Sequence, residues 1–296
     1  MHNAESRKLS YKIANGVIMF IMILLMLITI YPLYYTICAS FSDARALLRN
    51  NDLLLKPLEP FTLDGYKAVF SNPSIVKSFG NTVFYVVVGT AISMALTIAG
   101  AFVVSRSYFL PRNVMMKGML FTMFFGGGLI PWFFVVRDLG MYNTRWAIVI
   151  PAALSTYNLI IMRSFFLSIP SALEESALLD GANDFQVLTH IILPLSTPVL
   201  AVIGMYYAVG QWNGWYHSLI FHRTRELYPL QMILRELLIL NEMTGSDSAA
   251  DFVEEAFNRD LIKYCTIVVT TVPILIIYPF LQRYFVKGVM IGAIKG

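Results

Sequence analysis

Six long stretches of this 296-residue chain are almost continuously apolar: roughly 16–38, 79–104, 117–136, 146–166, 198–221 and 264–285. At about 1.5 Å per residue, each is long enough to cross the about 30 Å of hydrocarbon in a bilayer. Lipid offers no partner for backbone N–H and C=O groups, so an apolar span of this length is expected to be a helix. The composition agrees, with 57% hydrophobic residues, 14% charged residues, 21 Phe, 16 Tyr and 15 Met, and a mean hydropathy of +0.65. The expectation is an all-α integral membrane protein with six transmembrane helices. The first stretch follows Arg7, Lys8 and Lys12 as a signal peptide would, yet it is too long and lacks a small-x-small cleavage site, so it reads as an uncleaved anchor.

The 22 Lys and Arg against 18 Asp and Glu give a net charge of +4, and no basic stripe interleaved with aromatics is present, which argues against nucleic acid as a partner. In a membrane chain the basic residues report orientation instead. The short flanks carrying Arg7, Lys8 and Lys12, then Arg106, Arg112 and Lys117, then Arg283, Lys287 and Lys295 place both termini in the cytoplasm. Loops 39–78 and 222–263 then lie outside, the second with mixed charge. Cys38 and Cys265 are the only cysteines, and His217 with His222 lacks a third ligand, so no metal site is expected. No acid, lysine or arginine lies well inside a span. Ion-coupled carriers generally need such a group, so the energy for any transport is expected to enter elsewhere. A membrane hydrolase would need a nucleophile with a buried base, and no span interior supplies one. The polar groups inside are neutral: Ser155, Thr156, Tyr157 and Asn158 in the fourth stretch, Gln211 and Asn213 in the fifth.

Residues Pro170 to Pro194, between the fourth and fifth stretches, form a polar-ended amphipathic insertion on the cytoplasmic side. Ser171 and Glu174 have the spacing of a capping box, Gly181 sits where a helix would end in a left-handed residue, and Asn183 or Asp184 is placed to cap a second helix. That helix would present Phe185, Leu188, Ile191 and Ile192 until Pro194 stops it. A helix, a glycine corner and a helix with an apolar ridge need either a partner groove or a lipid surface to rest on.

Glu175, Ser176, Ala177, Gly181, Ile191, Leu193 and Pro194 reproduce the spacing E-A-A-x3-G-x9-I-x-L-P, with Asp180 and Ala182 flanking the glycine and Ser176 replacing the middle alanine. This resembles the EAA signature in permease subunits of bacterial ATP-binding cassette (ABC) importers. The tail from Phe285 to Gly296, Gln211-Trp212-Asn213, Tyr228-Pro229-Leu230-Gln231 and Gly127-Gly128-Leu129-Ile130-Pro131 are similar to the maltose-type sugar importers, in the branch that handles oligosaccharides from polysaccharides.

The resemblance implies a chain with a cytoplasmic N-terminus (1–15), a six-helix permease domain (16–286) holding a coupling loop (168–197), and a cytoplasmic tail (287–296). It implies that the coupling loop docks in a cleft of a cytoplasmic ATPase through Glu175, Asp180 and Gly181, with Ser176, Ala177, Leu178, Ala182, Phe185, Ile191 and Pro194 as packing. The tail residues Gly288, Gly292, Lys295 and Gly296 would reach the ATPase pair. Partners implied are a second homologous permease, two ATPase subunits, an extracytoplasmic sugar-binding protein and the bacterial plasma membrane. The chain lacks G-x-x-x-x-G-K-[ST], so ATP and Mg are expected on the partner, with no cofactor and no catalytic residue here. For a sugar, flat aromatic faces and neutral polar groups are required, which points to Asn158, Gln211, Trp212 and Asn213 as pathway residues. Trp215 and Tyr216 are assigned to the interfacial aromatic belt, and Trp212 fits either role. A non-sugar cargo in the same machine, or an ion-coupled carrier, are the competing readings.

Overall fold

In the computed structural model, which describes residues 2–50, 52–243, 261–277 and 279, the described residues form helices and loops and no strand. They fall into two units, one within Met1–Ser71 and Leu237–Val269, the other within Asn72–Glu236 and Thr270–Gly296.

In the first unit, α1 (His2–Ser40) runs through Pro32, and Thr36 Oγ1 donates to the Pro32 carbonyl at 2.8 Å. From Tyr11 onward its window of greatest hydropathy has none of its residues buried, as expected of a helix whose solvent is lipid. Its C-terminal end packs Cys38 and Ala39 against Leu47 and Leu54. α2 (Ala44–Arg49) begins at Asp43, whose carboxylate accepts from Arg45 N and Ala46 N. α3 (Asp64–Ser71) approaches the helix Leu261–Ile277 closely: a Cβ on Gly65 would stand 2.6 Å from Cys265 Sγ.

The second unit is built on α4 (Pro73–Ser105), opened by Asn72 as N-cap and Pro73 in the first turn. Ser78, Thr82, Tyr85, Gly89, Ser93, Thr97 and Ala101 recur every three or four residues and are buried, the small-residue seam by which membrane helices approach one another. α5 (Arg112–Phe124) and α6 (Leu129–Asp138) follow, then α7 (Trp146–Val149), α8 (Thr156–Phe166), α9 (Ser171–Leu179) and α10 (Asp184–Val187). A π-helical turn Leu188–Ile192 leads to α11 (Leu193–Leu195), α12 (Thr197–Trp212), α13 (Tyr216–Phe221) and α14 (Leu230–Met243), which belongs to this unit as far as Glu236. The core joins Ala101, Phe102 and Val104 of α4 to Leu159, Met162 and Phe166 of α8 and Val199, Ile203 and Tyr207 of α12.

Only α1 and α4 are single helices long and apolar enough to cross a bilayer among the described residues. The third stretch is α5 and α6 bent by 115° at a short break. There Gly128 takes φ +84° and a Cβ on Gly126 or Gly127 would meet nothing within 4 Å, so neither side chains nor backbone preference keep the helix going. The fourth stretch is interrupted beside Pro151, between α7 and α8. The fifth divides at Asn213 and Gly214 into α12 and α13. Of the sixth, the helix Leu261–Ile277 is described and the remainder lies outside the described residues.

Candidate coupling site and substrate cavity

Residues 168–197 fold as two short helices about a glycine. Gly181 has φ +86°. Its N–H donates to the Leu178 carbonyl at 3.1 Å while Ala182 N–H donates to Ala177 O at 2.9 Å. These two bonds are a Schellman ending, which satisfies the last carbonyls of α9 and requires a left-handed residue. Asn183 is the cap of α10: its Oδ1 accepts from Gln186 N at 2.9 Å and Gln186 Oε1 accepts from Asn183 N at 2.8 Å.

Two local expectations fail. Ser171 lies inside α9 behind Pro170, so it makes no capping bond, and Glu174 turns instead to the guanidinium of Arg106. Nor does Pro194 stop the chain. It sits in the first turn of α11, after the π-helical turn in which Leu193 N–H reaches back to Leu188 O. A π turn relieves the clash between a proline ring and the carbonyl four residues earlier. The helical path bends by 86° between Leu195 and Thr197.

Ala177, Ala182, Leu188, Val187 and Ile192 face the core, and Ile191 is half-buried. Glu175, Ser176, Asp180, Gly181 and Pro194 are exposed. So are Leu178, Leu179 at 89% and Phe185 at 72%. Glu175, Leu178 and Leu179 are spaced to share one side of α9. This is an apolar ridge with a carboxylate at its edge, left unpartnered beside a rigid corner. Gly288, Gly292, Lys295 and Gly296 lie outside the described residues.

Sequence reasoning treats Arg106 as an orientation signal and passes over Tyr108; the structure places both against the segment. Arg106 ends α4, with Nε and Nη2 donating to Ser105 Oγ at 3.1 and 3.0 Å. Tyr108 Oη donates to Asp184 Oδ1 at 2.7 Å. Burial, together with that carboxylate, pushes the Tyr108 phenol up to about 12. Arg163 Nε donates to Val104 O at 3.0 Å and Ser105 Oγ to Phe102 O at 2.7 Å, so the last carbonyls of α4 are paired.

Elsewhere in the same unit, a cavity of about 380 Å³ is lined by Ser155, Asn158, Tyr206, Gln211, Asn213, Trp215, Tyr216 and His217. Three of the four expected pathway residues thus converge. The fourth, Trp212, is buried elsewhere: its Nε1 donates to Thr270 O at 3.0 Å and its ring stands edge-on to Phe79. Tyr207 Oη holds the cavity wall, accepting from Ser155 N at 3.1 Å and pairing with Thr97 Oγ1 at 2.7 Å.

The profile of the family described as binding-protein-dependent transport system inner membrane component matches residues 114–221, which include the coupling segment and the whole cavity lining. Protein LplC of Bacillus subtilis (strain 168) is 41% identical over 270 residues, covering 91% of this chain and 90% of that protein. The chain belongs to this family of transport permeases. The polygalacturonan/rhamnogalacturonan transport system permease protein YtcP of the same organism is 38% identical, covering 91% of this chain and 94% of its own. The fold matches a chain of a bacterial ABC transporter involved in the import of the acidic polysaccharide alginate, with a TM-score of 0.85, 31% identity and coverage of 93% and 98%. The resemblance to ABC importer permeases read from Glu175 to Pro194, and to their sugar-importer branch read from the tail, Gln211-Trp212-Asn213, Tyr228-Pro229-Leu230-Gln231 and Gly127-Gly128-Leu129-Ile130-Pro131, is borne out by these relatives.

Proposed function

We propose that this permease pairs with a homologous permease and two ATPase subunits to import an oligosaccharide delivered by an extracytoplasmic binding protein. The observation that carries this reading is the Gly181 corner, which presents Glu175, Leu178, Leu179, Asp180 and Phe185 to solvent while its other side is seated on α4, α8 and α12. Closure of two ATPases around ATP would move a ridge docked in their clefts, and differential contacts in the two states bias the bundle between inward and outward forms. ATP and Mg belong to the ATPase. This chain binds no cofactor and hydrolyses nothing.

The chain is read as a six-span plasma-membrane protein of one permease domain (16–286), with N-terminus 1–15 and tail 287–296 cytoplasmic. The bent pair α5/α6 makes one span, and α12 with α13 another. Gly288, Gly292, Lys295 and Gly296 are assigned to ATPase contact. Saccharide cargo is supported by the relatives and by the cavity, where the amides of Asn158, Gln211 and Asn213 suit hydroxyls and the rings of Trp215 and Tyr216 suit C–H faces. Trp215 and Tyr216 therefore belong to the pathway as well as near a membrane interface.

Purification in mild detergent, mass spectrometry of co-eluting chains and an ATPase assay test the assignment. A second permease and an ATPase stimulated by a sugar-loaded binding protein are expected. Isolation of the chain alone, transporting on an ion gradient in liposomes, would overturn it in favour of a secondary carrier. Stimulation by a binding protein loaded with amino acid or phosphate would leave the machine and change the cargo.

A further inference from the structure

Both helices that flank Gly181 are fastened to one short stretch of chain at the end of α4. The Arg106 side chain is only 5% exposed and its guanidinium is engaged on every side. Nε and Nη2 donate to Ser105 Oγ, the plane lies 4.7 Å over the Phe102 ring, and Nη1 reaches the carboxylate of Glu174 in the first turn of α9. Two residues on, Tyr108 holds Asp184, the first residue of α10. Arg112 Nη1 donates to Arg106 O at 3.1 Å and ties the same stretch to the start of α5.

The apolar seat beneath α9 and α10 attracts without direction and tolerates sliding. Charge-assisted hydrogen bonds fix geometry as well as contact. A buried ion pair is a weak source of net stability compared with apolar residues of the same volume, and its best-attested use is to set register. The left-handed corner at Gly181 lies between the two attachments. A segment attached on one side alone could take up a displacement by changing backbone angles at that corner.

We propose that Arg106 and Tyr108 are positioning residues that lock α9 and α10 to the end of α4, so that a pull on the exposed ridge moves segment and helix end as one body. The inference rests on the ATPase docking proposed above. It names the route by which docking force enters the bundle: through α4, whose seam packs against α12 and α8.

The test uses the full transporter with its partner chains, trapped with ATP and vanadate or left free of nucleotide. Spin labels go on Leu110→Cys, 91% exposed, paired with Ser171→Cys or His190→Cys, exposed positions on either side of the corner; the native Cys38 and Cys265 are buried. In the otherwise unaltered protein both distances should stay within about 2 Å on trapping. Arg106→Gln should release the 110–171 distance and Tyr108→Phe the 110–190 distance, each by about one helical turn, on the order of 5 Å. Arg106→Lys, which keeps the charge, should restore much of the constraint. Distances that already shift by that amount without either substitution, or that stay fixed in both variants, would overturn the proposal. Should Arg106→Gln fail to insert, Tyr108→Phe decides alone, since it removes one hydroxyl. Failure to trap nucleotide in the unaltered complex would show up separately and would remove the docking reading and this proposal with it.

Discussion

Gly181 is held at a backbone angle that a side chain disfavours. A Cβ there would meet nothing within 4 Å, while φ is +86°. The penalty for a larger residue is therefore conformational, about 1–2 kcal/mol for a left-handed L-residue, and not one of crowding. Gly181→Leu should insert in the membrane and assemble yet lose most uptake, whereas Gly181→Asn, which tolerates this region, should retain a larger share. Uptake by well-expressed Gly181→Leu equal to that of the parent would remove the coupling role from this corner. Tyr108 makes a second residue-scale prediction. Its folded pKa is raised from the usual 10.0 to about 12, so the bond to Asp184 contributes fully below the unfolded value and is lost only as pH rises through the folded one. The difference between alkaline spectrophotometric titrations of the parent and of Tyr108→Phe should show a phenol ionising later than an ordinary tyrosine. A difference spectrum confined to the ordinary tyrosine range would contradict the hydrogen bond to Asp184.

At the scale of elements, α12 carries two neighbouring residues with opposite fates. Trp212 is buried with its indole N–H on Thr270 O, whereas Gln211 lines the cavity and lies against α4, where a Cβ on Gly89 would come within 2.9 Å of its Nε2. Trp212→Phe should lower thermal stability by about 0.5–1.5 kcal/mol, the net worth of one hydrogen bond, and leave cargo affinity alone. Gln211→Ala and Asn158→Ala should do the reverse, weakening saccharide binding by calorimetry with little change in melting temperature. Gly89→Ala should mimic Gln211→Ala by displacing the amide. Equal affinity in all three cavity variants would mean that the cargo passes elsewhere. The same contrast shows what sequence makes legible. Gln211, Trp212 and Asn213 look alike as candidates because composition does not say which side of a helix is covered. The coupling segment is far easier to read, since Gly181, Asn183 and Gln186 act on the backbone within a few residues of themselves. Glu174 misleads for the opposite reason: its partner, Arg106, is distant in sequence, and a tertiary ion pair overrides a local capping pattern. Breaks at Gly126–Gly128, Pro151 and Gly214 are visible as residue types. Whether such a residue merely bends a helix or divides it depends on the neighbours that fill the gap.

The whole molecule poses the question of sidedness, because the function proposed above requires the Gly181 corner to face an ATPase and the cavity to receive cargo from outside. The contacts of Arg106 and Tyr108 with α9 and α10 require the loop before α5 and that segment to be on one side, and in the orientation proposed above, which rests on the positive flanks around Arg106, Arg112 and Lys117, that side is the cytoplasm. Loop 39–78 should then be outside. Leu53 is 73% exposed and Leu110 is 91% exposed, so single cysteines at these two sites report opposite faces of the membrane without disturbing a packed residue. With a membrane-impermeant maleimide on intact spheroplasts, Leu53→Cys should label at once and Leu110→Cys only after permeabilisation. The reverse pattern would put the coupling segment outside, where no ATP is available, and the importer mechanism would fail with it. Labelling of both sites in intact cells would mean that α1 and α4 do not both cross the bilayer, since the chain passes from Leu53 to Leu110 through α4 as its one long apolar helix. Because α4 is also the helix to which the coupling segment is fastened, a single span would then link the outer loop, the small-residue seam facing α12 and the cytoplasmic corner. Under the proposed mechanism, that continuity offers a direct path by which nucleotide closure at one face would open the cavity at the other.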